Sequence, residues 1–285
     1  VTNYCGASNA VAMNSATSAL HIACLAFDLG PGEWLWTSPN TFVASANCGL
    51  YCGANIDFVD IDPKTFNMSV DFLTEKLKQA EKSGKLPKVV IPVHFAGQPC
   101  NMPAIHELSQ RYGFKIVEDA SHALGASHNE NKVGSCVHSD ITVFSFHPVK
   151  IITTGEGGMA LTNDNELANK MRRLSTHGIT RDKTLIQSRP ANEIWNYQQI
   201  QLGFNYRMND IQAALGLSQM QRLDQNVSLR NQIAREYDSK FIDSKVTTQC
   251  QISDVYSSFH LYPVCIKESK KNIKQKQIYN ALIKN

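Results

Sequence analysis

Short apolar segments alternate with amphipathic segments through about residue 175 of the chain. The apolar runs have the length of strands, whereas the amphipathic segments repeat apolar residues every three or four positions, as helices do. The predicted strands cover residues 10–13, 34–37, 56–59, 89–95, 115–118, 141–146 and 158–161, and the predicted helices cover 17–27, 41–52, 70–80, 103–111 and 166–174. This alternation predicts an α/β fold, in which helices cover both faces of a mostly parallel central sheet.

A long helical pattern then runs from 209 to about 241 with short interruptions. Because a helix of this length often joins two domains, we expect a large domain over 1–225 and a small C-terminal domain over 226–285. The chain starts at Val1 rather than Met and stops at Asn285 within a predicted helix. We therefore expect both ends to be cut, with an N-terminal segment missing and the small domain incomplete.

The composition is ordinary for a soluble protein, with 42% hydrophobic residues, 19% charged residues and a net charge of +3. No run of Lys and Arg concentrates the charge, which argues against a nucleic-acid partner. No apolar run approaches the ~20 residues that cross a bilayer, and no signal segment is recognisable. We therefore predict a cytoplasmic protein with no membrane partner.

The eight cysteines are spread along the chain rather than gathered into a disulfide framework. Cys48 and Cys52 lie four residues apart on a predicted helix, so their side chains could face the same side. No His or Cys pair near them completes a tetrahedral metal site. We therefore expect buried thiols and no metal.

Candidate chemistry lies where ligands bind in sheets of this kind, in the loops that follow the carboxyl ends of strands. Asp119 directly follows the predicted strand 115–118, and His122 comes three residues later. A carboxylate in this position can pair with the protonated ring nitrogen of a bound cofactor, and a histidine can pack beside that ring. The motif alone is weak, because an N-cap aspartate and a structural histidine are more common.

A lysine follows the next strand along the chain. Lys150 lies just beyond the predicted strand 141–146 and shortly before the glycines of 154–158. A partly desolvated amine forms imines with carbonyl compounds, and glycines let the backbone pass close to a ligand. Ser145 is placed to offer a hydroxyl to a phosphate. The alternative is a solvated lysine in a surface loop, which apolar neighbours such as Val149 make less favourable.

Small polar residues at 14–20 surround the start of the predicted helix 17–27. Free backbone N–H groups and the helix dipole make such a place a natural phosphate site. An ordinary Ser/Thr cap is at least as common. Phe42 opens the next helix and could stack on an aromatic ligand, although a lone aromatic residue is more often part of a core.

Together, four segments resemble the DegT/DnrJ/EryC1/StrS family of sugar-nucleotide aminotransferases, which are fold-type-I enzymes that use pyridoxal 5′-phosphate (PLP). The segments are Asn-Ser-Ala-Thr-Ser-Ala-Leu at 14–20, Glu-Asp-Ala-Ser-His-Ala at 118–123, Ser145 to Lys150 with Thr-Gly-Glu-Gly-Gly at 154–158, and Gly-Phe-Asn-Tyr-Arg-Met at 203–208. Four matches in this order and spacing are specific, although each alone is not. The resemblance implies a PLP-binding large domain followed by the start of a small C-terminal domain.

The resemblance also implies a role for each matching residue. Lys150 forms the imine with the cofactor and later moves a proton to the sugar carbon, and Asp119 pairs with the pyridine nitrogen. These two are the implied catalytic residues. The other implied cofactor contacts within the chain are His122 and Phe42 at the ring, and Ala16, Thr17 and Ser145 at the phosphate. Asn205 reaches the phosphate of a partner subunit, which implies a homodimer with shared active sites.

The segments 94–100, 146–159 and 175–182 look like those of family members that act in pseudaminic acid biosynthesis. This likeness implies a UDP-linked 4-keto-6-deoxy-2-acetamido sugar as the amino acceptor, aminated at C4. It implies L-glutamate as the amino donor.

Three other functions are open. A PLP-dependent sugar dehydratase has the same fold but has His in place of the lysine. This chain has Lys150 at that position, with His147 three residues earlier. A PLP-binding protein without activity is disfavoured by the intact Lys150 and Asp119. An aminotransferase for another keto nucleotide sugar is the strongest competitor, because motifs near a cofactor say little about the sugar.

Overall fold

The structure is a computed structural model that describes residues 1–186, 195–242, 244, 246–266 and 275–284. The strands are β1 Asn9–Met13, β2 Trp34–Thr37, β3 Asn55–Phe58, β4 Val89–Ile91, β5 Lys115–Asp119, β6 Ser127–His128, β7 Asn131–Lys132, β8 Ile141–Ser145, β9 Gly158–Thr162, β10 Ile179–Thr180, β11 Gln198–Gln199, β12 Val246–Thr248, β13 Val255–Tyr256 and β14 Val264–Ile266. The helices are α1 Thr2–Cys5, α2 Ala16–Ala26, α3 Ala44–Tyr51, α4 Val70–Ser83, α5 Met102–Tyr112, α6 Asn165–Leu174, α7 Asp210–Met220, α8 Leu223–Phe241 and α9 Gln275–Lys284, with a 3₁₀ turn at Phe95–Gly97.

The centre of the fold is a seven-stranded sheet in the order β1-β9-β8-β5-β4-β2-β3. Strands β3, β2, β4, β5 and β8 run parallel, while β9 is antiparallel to both of its neighbours, β8 and β1. A parallel neighbour needs a long crossover, whereas residues 146–157 connect β8 to β9 without a helix. The prediction of a mostly parallel sheet is confirmed, with β9 as the exception.

Helices pack on both faces of this sheet, as predicted. Side chains alternate between the faces along a strand, so Val89 and Ile91 pack in a cluster with α2 and α3, while Val90 packs in another with α4 and α5. All three side chains are fully buried. Burial on both faces explains why this part of the sequence is continuously apolar.

Some predicted boundaries were wrong. The predicted strand 89–95 ends at Ile91, because Pro92 has no N–H to donate to a neighbouring strand. The chain then passes through the 3₁₀ turn, where Ala96 has a φ of 62°. The helix predicted from residue 41 begins at Ala44. The helical pattern predicted over 209–241 forms two helices, α7 and α8, with a short interruption at residues 221–222, as expected.

The chain beyond α8 contributes short strands. Strand β12 pairs with β14, and β13 pairs with β6 of the β6–β7 hairpin. The division into domains 1–225 and 226–285 stays a prediction. Within the described ranges, no helix combines the length and the apolar character that crossing a membrane requires.

Candidate active site

A cavity of about 270 Å³ opens beside the carboxyl ends of β5 and β8 and the first turn of α2. Its volume is close to the lower end, about 300 Å³, of small-molecule sites. The lining includes seven of the predicted site residues: Ala16, Thr17, Phe42, Asp119, His122, Ser145 and Lys150. The sequence motifs therefore identified segments that do meet in space.

Asn205 is not among the residues that line this cavity. It forms an isolated bridge with Thr176, and its neighbours Phe204 and Tyr206 pack against the core cluster that contains α2. Asn205 therefore does not contribute to the wall of the cavity in its own chain. Its contact with a partner's phosphate stays a prediction.

Asp119 is the last residue of β5 and is 4% exposed. Ser45 Oγ, from α3, donates a hydrogen bond of 2.6 Å to Oδ2, and the Ser121 backbone N–H donates one of 3.1 Å to Oδ1. These two donors fix the orientation of the carboxylate. The motif analysis missed Ser45, whose signal was a hydroxyl residue one turn beyond Phe42 on a predicted helix.

The backbone of β5 is anchored from the opposite side of the sheet by the neighbouring residue Glu118. His94 Nε2 lies 2.6 Å from Glu118 Oε2, and Thr142 Oγ1 donates to Oε1 at 2.8 Å. Burial acts to raise the pKa of Glu118, but hydrogen bonds with His94, Ser139 and Thr142 outweigh it and lower that pKa. The His94 backbone N–H also donates to the Asp119 carbonyl at 3.1 Å. The strand end that carries Asp119 is therefore held rigidly.

Lys150 lies in the loop after β8, partly buried at the cavity. Burial lowers the pKa of its amine, and the negative charge of Asp119 acts in the opposite direction. Among the described residues, no group forms a hydrogen bond or ion pair with its Nζ. A desolvated amine without a protein partner has more of its neutral, nucleophilic form at neutral pH than an exposed lysine.

His122 approaches the cavity as a neutral ring. The Ala96 backbone N–H donates a hydrogen bond of 3.2 Å to Nδ1, so Nδ1 acts as the acceptor and the proton lies on Nε2. Burial, with a smaller contribution from the positive charge of Lys150, lowers the pKa of His122 to about 3. At neutral pH the side chain therefore offers one donor, Nε2–H, to a ligand.

The first turn of α2 forms an anion cradle at one end of the cavity. Ser15 caps the helix by accepting a bond of 3.0 Å from the Ser18 N–H, and the first bond along the helix axis runs from Ala19 to Ser15. The backbone N–H groups of Ala16 and Thr17 thus point out of the helix with its positive dipole end. A Cβ at Gly158 would lie 2.3 Å from the Ala16 nitrogen, so glycine is needed there for β9 to pass this turn.

No three His, Cys, Asp or Glu side chains in the described part of the chain are grouped so that they could bind a metal ion. The expectation of no metal stays a prediction.

PLP carries an aldehyde, a protonatable ring nitrogen and a phosphate. The cavity contains an amine at Lys150, a carboxylate at Asp119 and free N–H groups at the start of α2, and this set of groups fits such a cofactor. The fold and the cavity are those of a PLP-dependent enzyme of fold type I. The model of the DegT/DnrJ/EryC1/StrS aminotransferase family matches residues 1–285, and the chain belongs to this family.

Similar proteins act on nucleotide sugars. The UDP-4-amino-4,6-dideoxy-N-acetyl-beta-L-altrosamine transaminase of Campylobacter jejuni subsp. jejuni serotype O:2 is 38% identical over 92% of this chain and 66% of its own length. The GDP-perosamine synthase of Caulobacter vibrioides is 40% identical over 84% of this chain and 59% of its own length. The structure of Helicobacter pylori PseC, an aminotransferase involved in the biosynthesis of pseudoaminic acid, matches with a TM-score of 0.85 at 30% identity, covering 99% of this chain and 72% of that one.

These findings confirm the family, the fold, the enzyme class and the PLP cofactor that the sequence predicted. The chain spans 59% to 71% of the length of five curated relatives that it matches. The roles of the individual residues stay predictions and are taken up below.

Proposed function

We propose that this protein moves the amino group of L-glutamate to C4 of a UDP-linked 4-keto-6-deoxy-N-acetylhexosamine, a step of pseudaminic acid biosynthesis. The observation that carries amino transfer is the meeting of Lys150 and Asp119 in one cavity beside an anion cradle. The choice of sugar is supported by the segments 146–159 and 175–182 and by the identity with the Campylobacter transaminase.

Each cavity residue has a distinct task in this proposal. PLP, when bound, supplies an aldehyde that carries the amino group and a ring that accepts electrons. Lys150 supplies the neutral amine that holds the cofactor, and the same amine then moves the proton to C4 of the sugar. Asp119 keeps a proton on the ring nitrogen, because an ionised carboxylate beside it stabilises the positive charge.

The remaining residues bind and orient the cofactor. The backbone N–H groups of Ala16 and Thr17 and the hydroxyl of Ser145 hold the phosphate. His122 offers its Nε2–H to the ring hydroxyl, and Phe42 stacks on the ring.

The protein acts as a homodimer in this proposal, and its surface supports that assembly. Helix α7 has no buried residue, and its apolar side chains Ile211 and Leu217 are 84% and 73% exposed. Leu202, shortly before this helix and close in sequence to Asn205, is 79% exposed. Exposed apolar side chains close in sequence to Asn205, whose contact with a partner is predicted, support an interface with a second copy of the chain.

Two inactive variants are expected to complement each other if the active sites are shared. In a mixed dimer of Lys150→Ala and Asn205→Ala chains, one site contains both lesions and the other contains neither. Random exchange should restore on the order of a quarter of the parent rate, since half of the dimers are mixed and each has one intact site of two. The rate is measured after the two purified proteins have exchanged subunits.

A mixture of Lys150→Ala and Asp119→Asn chains is the matched control. Both residues line the cavity of their own chain, so each site of the mixed dimer keeps one lesion and the rate stays low. Equal rates in the two mixtures would show that Asn205 acts within its own subunit, whereas an active Asn205→Ala homodimer would show that Asn205 has no role in the site.

The sugar is tested with the protein, L-glutamate and three ketosugars: the 4-keto L-arabino epimer, its D-xylo counterpart and a 4-keto-6-deoxy nucleotide sugar without the 2-acetamido group. We expect amination of the L-arabino ketone, with the C4 configuration of the product assigned by NMR. Preference for the D-xylo ketone would instead assign the protein to a different branch of amino-sugar synthesis. Exclusive use of a ketosugar without the 2-acetamido group contradicts the pseudaminic assignment and favours a perosamine-type substrate, which the Caulobacter relative supports.

A further inference from the structure

A short stretch near the C-terminus, the 257–261 segment, lies directly behind the active site. Ser258 Oγ donates a hydrogen bond of 2.7 Å to the carbonyl oxygen of His122. The backbone N–H of Ser258 donates one of 3.1 Å to the carbonyl of Gly97. The segment is therefore bonded both to His122 and to the 3₁₀ turn that faces it.

This contact holds the 3₁₀ turn in an unusual conformation. Ala96 has a φ of 62°, a left-handed conformation that is unfavourable for a residue with a Cβ, and its carbonyl accepts a bond of 3.2 Å from the Leu261 N–H. Gly97 lies so close to the segment that a Cβ there would be 2.6 Å from Ser258 Oγ. The strained backbone directs the Ala96 N–H at His122 Nδ1.

His260 places a second imidazole ring against His122. The ring centroids are 4.5 Å apart at an angle of 42°, and His260 is 9% exposed. Its Nδ1 is buried and has no hydrogen-bond partner in the described part of the chain. Arg230 Nη1, from α8, donates to the carbonyls of Phe259 and His260, at 3.1 Å each, and so fixes the backbone that carries the ring.

The positive charges near His122 and His260 all disfavour protonation of the two rings. Lys150, from the loop after β8, disfavours a positive charge on both rings, and Arg230 disfavours one on His260. Burial has the larger effect and, with these cations, lowers the pKa of each imidazole to about 3. Asp119 lines the same cavity as His122, but its carboxylate bonds Ser45 and Ser121 rather than the ring.

We propose that His260 is a positioning residue: packed behind His122 and held by Arg230, it keeps water from the side of that ring that faces away from the cavity, so that His122 stays neutral and presents Nε2–H to the cavity. The catalytic meaning of the inference rests on the proposed function, in which His122 donates to the ring hydroxyl of the cofactor. The protonation state of the His122 ring can be measured whether or not that function holds.

The state of His122 can be measured without cofactor or substrate by ¹⁵N NMR of histidine-labelled protein, with the His122 signals assigned from their loss in His122→Gln. In the parent we expect Nδ1 without a proton and Nε2 with one from pH 5 to pH 8. In His260→Ala, water reaches the ring and the pKa of His122 should move from about 3 toward its usual 6.5. His260→Phe keeps the packing and should leave His122 neutral.

A charged His122 in the parent at pH 6, or a proton on Nδ1, overturns the proposal whether or not any variant folds. If the pKa of His122 is unchanged in folded His260→Ala, or if His122 is charged in His260→Phe, the packing of His260 does not keep His122 neutral and the proposal is overturned. The rate gives a second readout: His260→Ala should lose activity below about pH 6.5, while His260→Phe should follow the parent. If the NMR result holds and no amino transfer is found, the proposed function fails and this inference stands.

Discussion

Replacing Lys150 with alanine is expected to lower the rate of amino transfer by about a thousandfold or more, because it removes the nucleophile and proton carrier together. The fold should persist, since the side chain lies in a loop and its amine bonds no group among the described residues. The rate is followed as 2-oxoglutarate released from glutamate in the presence of the ketosugar. Thermal unfolding by circular dichroism checks the fold.

Lys150→Arg distinguishes the role of the amine from that of its positive charge, and Lys170→Ala is a control at a surface lysine. Lys150→Arg keeps a cation, but a guanidinium stays protonated and cannot form the imine, so we expect it to be as inactive as the alanine variant. Lys170→Ala removes a surface lysine of α6 that pairs with Asp28, and it should leave the rate unchanged. Substantial turnover by Lys150→Ala would show that another group holds the cofactor.

Much of this site was predictable because its residues follow strand ends and helix starts. Parallel strands bring their carboxyl ends to the same edge of the sheet, so Asp119 after β5 and Lys150 after β8 had to lie near each other once the strands were recognised. The proposed phosphate site at Ala16 and Thr17 follows from the helix start in the same way. The family motifs then supplied roles that the spacing alone does not.

The unpredicted features depend on contacts between residues far apart in the sequence. Ser45 bonds Asp119 across 74 positions, and Ser258 bonds His122 across 136. No local pattern encodes such pairs, because a serine on a helix or in a loop has the same local preferences whatever it contacts. The left-handed backbone of Ala96 was also missed, because the apolar run favoured a strand and the 257–261 segment that holds the turn comes much later in the chain.

Replacing Asp119 with asparagine is expected to cost about 3 kcal/mol or more in the rate of amino transfer, roughly a hundredfold, while PLP still binds. The amide places no negative charge beside the ring nitrogen, so that nitrogen loses its proton and the ring becomes a weaker acceptor of electrons. The measurement is kcat at saturating glutamate and ketosugar, with PLP content determined from absorbance after denaturation.

The asparagine variant separates charge from geometry because the hydrogen bonds at this position can be kept. Its Oδ1 can accept from the Ser121 N–H as the carboxylate does, and its amide can face Ser45, whose hydroxyl rotates from donor to acceptor. Asp164→Asn is the matched control: Asp164 caps α6, and asparagine caps helices equally well, so neither rate nor stability should change. A fast Asp119→Asn enzyme with PLP bound would mean that a different acid serves the nitrogen. If Asp119→Asn is slow but has the melting temperature of the parent, the lost rate is due to the missing charge. The two donors to this side chain and the rigid end of β5 remain in place in that variant.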